Sequence, residues 1–287
     1  MSDKKIGLIA GAGLYPLSFA EEASKMGYKV YVVSFKGITN SGIEDISEKV
    51  KYFNLGQISA PIKFFRENGV KKVVMAGNVP HISIFGNLYP DLRAAKILFR
   101  LKSKRANAIL NAISDELRKD DIELVNSATF LENLLPKPGL LTSRKPSKKQ
   151  VADIEFGWKI AKQIAEMDIG LTVVVKEKTI ISVEALEGTD ECIKRAGQIF
   201  KRNSQNPENL VVVKVARPRQ DMRFDLPVVG AKTIESMISA NATLLAIEAY
   251  KTLILEKPKF LKKANENRIS VLAVNPAVMI FRRGCSI

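Results

Sequence analysis

The stretch KIGLIAGAGLYPLSFAEEASKMGYKVYVVSF, residues 5–35, indicates the fold class of this chain of 287 residues. It begins with a short apolar run at 5–10, turns at Gly11–Gly13, and then carries apolar residues at helical spacing over 15–26. A glycine ends that helix, and a second apolar strand follows over 28–34. Because strand–helix–strand units join parallel strands through a right-handed crossover, this opening predicts a parallel sheet.

Further units of the same kind follow in the first half of the chain. A helix is predicted over 61–68, and a strand over 72–76 closes on the turn Gly77-Asn78. Helical spacing continues over 91–119, and a further strand is predicted at 122–126. The pattern therefore predicts an N-terminal Rossmann-like domain over residues 1–132.

The second half of the chain predicts a separate domain. Prolines, a glycine and lysines interrupt any period over 133–149, which we interpret as a linker. Residues 150–287 then predict a C-terminal α/β domain, so that the fold class is α/β with two domains. Its elements are a helix at 151–166, a hairpin at 171–186, a helix that opens at 187–190 and continues to about 201, a strand at 210–216, helices at 233–240 and near 242–255, and a last strand at 269–274.

Composition places the chain among ordinary globular proteins, since 46% of its residues are hydrophobic and 26% are charged. No apolar window approaches the roughly 18 residues that a membrane-spanning helix needs, and the N-terminus runs directly into a strand, so we expect a cytoplasmic protein. Only two cysteines and one histidine occur, which argues against a disulfide framework or a histidine-rich metal site. Any metal is therefore expected to have oxygen ligands.

A net charge of +15 predicts attraction to polyanions, whether nucleic acid, anionic lipid headgroups or phosphorylated substrates. Aromatic residues make up only 7% of the chain, so the stacking platforms of single-strand nucleic-acid binders are not evident. Charge alone leaves a further alternative open, a solvated surface like that of thermophile proteins.

Two glycine turns predict a phosphate-binding edge on the first domain. Glycines let the backbone approach a phosphate, and the start of a helix favours an anion. The residues concerned follow two predicted strands and are Gly11, Ala12, Gly13, Leu14, Gly77 and Asn78. The third glycine of a dinucleotide fingerprint is replaced by Pro16, so a tight turn without a ligand is the alternative.

Two acidic stretches of the second half could hold a cation and a phosphate. Asp221, Arg223 and Asp225 alternate, and in an extended strand all three would point the same way. Carboxylates with a guanidinium suit a magnesium phosphate site, although a solvated face with an internal ion pair is the alternative. Glu187 and Asp190 lie where a strand gives way to a helix, and helix capping is their alternative explanation.

Two weaker candidates remain in the first half. His81 follows the second glycine turn and could bind phosphate or ribose, or be an ordinary surface residue. The segment LRAAKILFRLKSK, residues 92–104, predicts a basic amphipathic helix suited to anionic lipid. Such a helix could equally pack its apolar face into its own domain.

Four motifs together resemble one family. They are GAGLYPLSFAEEA at 11–23, MDIGLTVVV at 167–175, ISVEALEGTDECIKRAG at 181–197 and LVVVKVARPRQDMRFDLPVVGAKTI at 210–234. They resemble the LpxI-type UDP-2,3-diacylglucosamine pyrophosphatases of lipid A biosynthesis. The resemblance implies a two-domain enzyme that uses a divalent cation and water to release UMP and 2,3-diacylglucosamine 1-phosphate. It also implies that water attacks the sugar-side phosphorus and that Asp225 is the essential acid.

From the residues and this resemblance we expect the following site. The catalytic set is Asp225, Asp221, Arg223 and Asp190, and the metal set, for Mg²⁺ or Mn²⁺, is Asp225, Asp190 and Glu187. The substrate-binding set is Gly11, Ala12, Gly13, Leu14, Gly77, Asn78, Thr189 and Lys214. Expected partners are UDP-2,3-diacylglucosamine, the inner face of the inner membrane as a peripheral contact, and a second copy of the chain in a homodimer, but no nucleic acid.

Two other classes of function remain as alternatives. A nucleotide-dependent oxidoreductase would share the opening motif, but it predicts a full glycine fingerprint and an acidic residue after the second strand, where Ser34-Phe35-Lys36-Gly37 has none. A basic nucleic-acid-binding protein would explain the charge, and it predicts steeply salt-dependent binding to oligonucleotides.

Overall fold

The chain forms two compact units in a computed structural model that describes residues 4–78, 90–101, 106–203, 209–224, 226–275 and 277. The first unit comprises Met1–Glu132 together with Asp221–Asp225, and the second comprises Asn133–Gln220 and Leu226–Ile287. The predicted α/β class with two domains is confirmed.

A five-stranded parallel sheet forms the centre of the first unit, in the order β3-β2-β1-β4-β5. Its strands are β1 (Lys5–Ala10), β2 (Lys29–Phe35), β3 (Lys49–Phe53), β4 (Lys72–Ala76) and β5 (Glu123–Leu124). This is the strand order of a Rossmann-like sheet, and it brings the carboxyl ends of β1 and β4 side by side.

Helices and turns cover this sheet. They are α1 (Tyr15–Lys25), a 3₁₀ turn (Ser41–Ile46), α2 (Ser59–Glu67), α3 (Leu92–Arg100) and α4 (Ala106–Lys119). A further 3₁₀ turn (Glu132–Leu134) includes the residues at which the chain leaves the first unit. The period of α1 turns Phe19, Ala20 and Ala23 to the interior, where they are fully buried. A second cluster includes Phe65, Leu117 and, from far along the chain, Phe224.

A six-stranded mixed sheet forms the centre of the second unit, in the order β6-β13-β11-β9-β7-β8. The strands in sequence order are β6 (Gly139–Leu140), β7 (Thr172–Lys176), β8 (Thr179–Val183), β9 (Leu210–Lys214), β11 (Ala242–Glu248) and β13 (Ser270–Val274). A separate parallel pair is formed by β10 (Val228–Val229) and β12 (Leu253–Ile254). Because β9, β11 and β13 are parallel, their carboxyl ends share one edge.

Helices cover both faces of this sheet, and alternating side chains of its strands pack against them. The helices are α5 (Lys148–Glu166), α6 (Thr189–Asn203), α7 (Ala231–Ser239) and α8 (Lys257–Glu266). Val211 and Val213 of β9 belong to the cluster that contains Trp158 of α5, while Val212 belongs to the cluster that contains Ile234 of α7. A central strand buried on both faces reads as a continuous apolar run, as LVVVK does.

The predicted helix near 242–255 is wrong. Residues 242–248 form β11, which pairs with β9 on one side and β13 on the other, and β12 follows. The sequence ATLLAIE is apolar throughout, and periodicity cannot distinguish a buried helix from a strand buried on both faces. Pairing with two neighbours decides in favour of the strand.

The division into units differs from the predicted boundaries in two places. Residues 133–149, predicted as a linker, belong to the second unit, and β6 within them pairs antiparallel with β13. Residues 221–224, predicted in the second domain, belong to the first unit. Both differences arise from contacts with residues that are distant in sequence, which local composition does not report.

Among the described residues, no helix has the length and apolar character needed to cross a membrane.

Candidate functional site

The two predicted glycine turns of the first unit lie against each other at the carboxyl ends of β1 and β4. The Ala12 N–H donates to the Asn78 carbonyl at 2.7 Å, and the Asn78 N–H donates to the Ala12 carbonyl at 3.2 Å. A Cβ on Gly11 would lie 2.7 Å from the Asn78 carbonyl oxygen, and one on Gly77 would lie 2.6 Å from the Ala12 carbonyl oxygen. Glycine at both positions is therefore what lets these two turns meet.

Next to this contact, open backbone lies at the start of a helix. Gly13 has a φ of +92° and no atom within 4 Å of where its Cβ would lie, and Leu14 is 44% exposed. Helix α1 begins at the next residue, and the first turn of a helix has N–H groups without helical partners. The predicted residues Gly11 to Leu14 and Gly77-Asn78 are thus brought together at one sheet edge, with open space at Gly13.

Tyr15, the first residue of α1, anchors the start of this helix in the first unit. Its hydroxyl donates to the carbonyl oxygen of Ser127 at 2.5 Å, and burial raises the pKa of Tyr15 well above its ordinary value. The Ser127 hydroxyl in turn lies 2.8 Å from the Met75 carbonyl oxygen of β4. The glycine turns are therefore supported by a buried polar network that sequence analysis did not identify.

Residues 221–224 reach the same network. The Ser127 N–H donates to the Met222 carbonyl at 2.7 Å, and the Ser127 hydroxyl lies 2.5 Å from the Arg223 carbonyl oxygen. Phe224 is 2% exposed within the apolar cluster of the first unit. The segment is therefore an integral part of the first unit.

The prediction that Asp221 and Arg223 alternate along a strand is wrong, because residues 222–224 form a turn. The Arg223 guanidinium donates to both carboxylate oxygens of Asp221 and also to Ser114 and Asn111 of α4, at 3.0 and 2.9 Å. Hydrogen bonds from Arg223 hold the pKa of Asp221 below its ordinary value. An internal ion pair, which the sequence left open, is therefore present between Arg223 and Asp221.

In the second unit, Lys214, Thr189 and Glu184 form a chain of polar contacts at the sheet edge. The Lys214 ammonium donates to the Thr189 hydroxyl at 2.6 Å, and that hydroxyl donates to Glu184 Oε1 at 2.8 Å. The other Glu184 oxygen accepts the Leu171 N–H at 3.2 Å. Lys214 ends β9, Glu184 follows β8 and Thr189 begins α6, so three elements place these side chains.

Electrostatics keep Glu184 ionised although it is only 9% exposed. Burial opposes the charged carboxylate, but the Lys214 charge and the hydrogen bonds from Thr172, Thr189 and the Leu171 N–H outweigh it, so the pKa of Glu184 is lowered. Lys214 is 5% exposed. The edge therefore holds a buried cation and a buried anion joined through one hydroxyl.

Two other predicted residues, Glu187 and Asp190, lie beside this chain of contacts. Glu187 accepts from Arg195 at 2.5 Å, and although burial opposes it, hydrogen bonds from Arg195 and the Ala185 N–H lower its pKa. Asp190 lies in the first turn of α6, 3.5 Å from the Lys232 ammonium, whose side chain is 77% exposed. Within the part of the chain that the structure describes, no three His, Cys, Asp or Glu side chains are grouped closely enough to hold a metal ion.

Two predicted residues fall outside the described ranges: Asp225, the expected essential acid, and His81. The sequence predicted Thr189 and Lys214 as substrate-binding residues, whereas it predicted no function for Glu184. Its signal was its place at the end of a predicted strand, two residues beyond Ser182, where a period of two would turn it inward. A buried Glu248 at the end of β11 was missed because that strand was predicted as a helix.

Fold and sheet edges together define a class: an α/β protein of two units, each with polar groups or glycine turns at the carboxyl ends of parallel strands, where such folds bind ligands. The comparisons with known proteins make this specific. The LpxI N-terminal domain family matches residues 5–134, and the LpxI C-terminal domain family matches residues 137–272. The chain therefore belongs to the LpxI family.

Sequence similarity to a curated relative covers the same extent. The UDP-2,3-diacylglucosamine pyrophosphatase LpxI of Caulobacter vibrioides is 28% identical over 278 residues, which span 95% of this chain and 98% of the relative. Among solved structures, N5-carboxyaminoimidazole ribonucleotide synthetase from Thermotoga maritima is 18% identical with a TM-score of 0.25, over 64% of this chain and 42% of that chain. The corresponding synthetase from Staphylococcus aureus is 12% identical with a TM-score of 0.24, over 60% and 38%.

Proposed function

We propose that this chain hydrolyses UDP-2,3-diacylglucosamine to UMP and 2,3-diacylglucosamine 1-phosphate, a step of lipid A biosynthesis. The observation that carries the proposal is the match of both LpxI domain families, supported by a relative of that name aligned over nearly the whole chain. Water supplies the oxygen that joins the sugar-side phosphorus, the bond from that phosphorus to the bridging oxygen breaks, and UMP leaves with that oxygen.

Both units offer groups suited to a diphosphate. Cleaving a phosphoanhydride requires that the negative charge on the phosphoryl oxygens be stabilised and that the leaving phosphate be held. In the first unit, the meeting glycine turns and the start of α1 support the binding of a nucleotide phosphate. In the second unit, Lys214 and Thr189 at the edge of the sheet support the binding of a phosphoryl oxygen.

We further propose that Asp225 is the essential acid, as the family resemblance implies, and that Arg223 holds pyrophosphate oxygens. Asp225→Asn should abolish turnover while substrate binding persists. A matched control is Asp45→Asn, which neutralises an exposed carboxylate in the 3₁₀ turn of the first unit. An Asp225→Asn enzyme that retains more than a few per cent of wild-type activity would contradict the assignment, as would an equal loss in the control.

A divalent cation, Mg²⁺ or Mn²⁺, is proposed as cofactor. The described carboxylates do not by themselves form a metal cluster, and those of Glu187 and Asp221 are bound to arginines. Asp190 is the best candidate ligand among them, because its carboxylate lies 3.5 Å from the Lys232 ammonium and the Lys232 side chain is exposed. Magnesium in phosphoryl transfer is commonly held by one or two carboxylates and the substrate phosphates, which a single described carboxylate can satisfy. Loss of activity in EDTA and recovery with Mg²⁺ would support the cofactor, and full activity in EDTA would refute it.

The reaction itself is tested by incubating the purified chain with UDP-2,3-diacylglucosamine in H₂¹⁸O. The proposal expects UMP and 2,3-diacylglucosamine 1-phosphate in equal amounts, with the label in the lipid phosphate. Label in UMP would place the attack on the other phosphorus, and an absence of both products would refute the function.

Sedimentation velocity of the same preparation tests the predicted homodimer.

We also propose that α3 contacts an anionic membrane surface. Leu92 and Phe99, seven residues apart on one face, are 84% and 93% exposed, and Lys96 and Arg100 beside them are exposed cations. Ala94 and Ile97 bury the opposite face. Phe99→Glu should weaken sedimentation with phosphatidylglycerol vesicles, whereas Met26→Glu, which also introduces a glutamate at an exposed apolar residue of the first unit, should not. Equal binding of both variants would contradict the proposal. The last residues of the predicted segment, 102–104, lie outside the described part of the chain.

A further inference from the structure

One peptide segment of the second unit is held by an ion pair between buried Glu248 and partly buried Lys162. Glu248 Oε2 accepts the Ala216 N–H at 2.9 Å, and the Lys162 ammonium donates to the Ala216 carbonyl at 2.8 Å. The Lys162 ammonium also donates to Glu248 Oε2, at 2.5 Å. The N–H and the C=O of a single residue are thus bound by the two members of one ion pair, which we call the Ala216 clamp.

The clamp is built from elements that are distant in sequence. Lys162 lies in α5, Glu248 is the last residue of β11, and Ala216 follows the end of β9 by two residues. Glu248 is 0% exposed, and its Oε1 lies 2.9 Å from the Lys251 ammonium. Ala216 is also 0% exposed. The clamp therefore fixes the backbone where β9 has ended and the chain leaves the sheet.

Stability alone does not account for such a pair. Removing two charges from water is costly, and apolar residues of similar volume often replace a buried ion pair without loss of stability. Burial lowers the pKa of Lys162, although Glu248 opposes that shift. A hydrophobic pair would fill the space at lower desolvation cost, but it could not bind both polar groups of Ala216.

The position of the clamp indicates what it controls. Two residues before Ala216 stands Lys214, bound to Thr189 and through it to Glu184. After Ala216 the chain continues through Arg217, which is itself tied to Asp168 at 2.9 Å, and enters the first unit at Asp221. Fixing Ala216 therefore sets the direction of the Lys214 end of β9 and of the backbone that continues to Arg217.

We propose that Lys162 and Glu248 are positioning residues for the hydrolysis, acting through the backbone of Ala216 on Lys214 and on the segment that follows it. This inference rests on the proposed function. Neither residue is expected to touch substrate. Replacing them should therefore lower kcat and leave KM within about twofold. A displacement of about 1 Å at a catalytic group costs on the order of 10²-fold in rate.

The decisive variant is the double replacement K162M/E248L, which removes both charges and leaves no unpaired ion in the interior. We expect kcat for UDP-2,3-diacylglucosamine to fall by about 10²-fold in the folded enzyme. Glu248→Gln keeps an oxygen that can accept the Ala216 N–H, so it should retain more kcat than Glu248→Leu. That partial rescue by the conservative variant is not expected of a residue that only fills space.

A matched control exists at the other end of the β7–β8 hairpin. Asp153, 4% exposed, accepts the backbone N–H groups of Glu177 and Lys178 at 3.1 and 2.7 Å. Asp153→Leu therefore also removes a buried carboxylate that holds backbone in the second unit, but away from Lys214. It should lower the urea midpoint and leave kcat within about twofold of wild type, since single lost hydrogen bonds to charged groups act on stability.

Three outcomes distinguish the possibilities. A wild-type chain that does not hydrolyse the substrate refutes the proposed function, whatever the variants do. An active wild type with unchanged kcat in folded K162M/E248L overturns the clamp alone, and so does a loss in Asp153→Leu equal to that in the double variant. If the double variant does not fold, Lys162→Met and Glu248→Gln replace it, and wild-type kcat in both overturns the clamp.

Discussion

At the scale of single residues, the ionisation of Glu184 is the property on which the second unit's candidate site depends. The carboxylate is buried, so its charge is tolerated because Lys214 and three hydrogen-bond donors compensate for it. Sequence analysis could place Lys214 at the end of a strand and Thr189 at the start of a helix. That both meet Glu184 does not follow from the sequence, because these contacts join three elements through tertiary structure.

Glu184→Gln tests this ionisation through stability. The pKa of Glu184 is lowered from an ordinary value of 4.5, so its contribution is fully present above pH 4.5 and is lost as the pH falls through the folded-state pKa. The variant should lose about 1–3 kcal/mol at pH 7, and its stability should decline less than that of wild type from pH 5 downward. Urea unfolding at a series of pH values measures both effects. Parallel curves for the two proteins would contradict the prediction.

At the scale of elements, the junction of β1 with α1 was readable from sequence to within a residue or two. The apolar run, the glycine turn and the helical period over 15–26 all agree there, and the structure has β1, the turn and α1 in those places. Strand β3, with the alternating sequence KVKYF, was not predicted, and β11 was assigned to a helix. In both cases the deciding contacts are inter-strand hydrogen bonds, which a short window of sequence does not contain.

The glycine turns at that junction allow steric and conformational costs to be separated. Gly77 has a φ of +88° and its Cβ would clash with the Ala12 carbonyl, whereas Gly13 has a φ of +92° and open space. Gly13→Ala should therefore cost only the left-handed backbone strain, about 1–2 kcal/mol. Gly77→Ala must also move backbone, so it should cost more and lower activity further. Urea unfolding and steady-state kinetics compare the two. A Gly13→Ala protein less stable than Gly77→Ala would contradict the steric account.

At the scale of the whole molecule, the chain passes between its two units three times, after residues 132, 220 and 225. The sequence predicted one passage, through a linker at 133–149. The other two were not foreseen because residues 221–224 look like part of a polar segment flanked by second-unit strands. What assigns them to the first unit is the burial of Phe224 and the contacts of Arg223 with α4. Residues 221–224 of the family motif thus pack into the first unit, whereas the residues up to 220 and from 226 onward belong to the second.

Phe224→Ala tests whether this short segment stabilises the first unit specifically. Phe224 is 2% exposed beside Phe65 and Leu117, so its truncation should cost the first unit about 3–5 kcal/mol. Hydrogen exchange of the full chain should then show faster exchange at Val33 of β2 and little change at Val212 of β9, because each lies in the core of a different unit. The reciprocal control is Phe260→Ala, fully buried in the second unit, which should accelerate exchange at Val212 and spare Val33. If Phe224→Ala accelerated both amides equally, the two units would unfold as one, and the segment's stabilising role could not be assigned to the first unit.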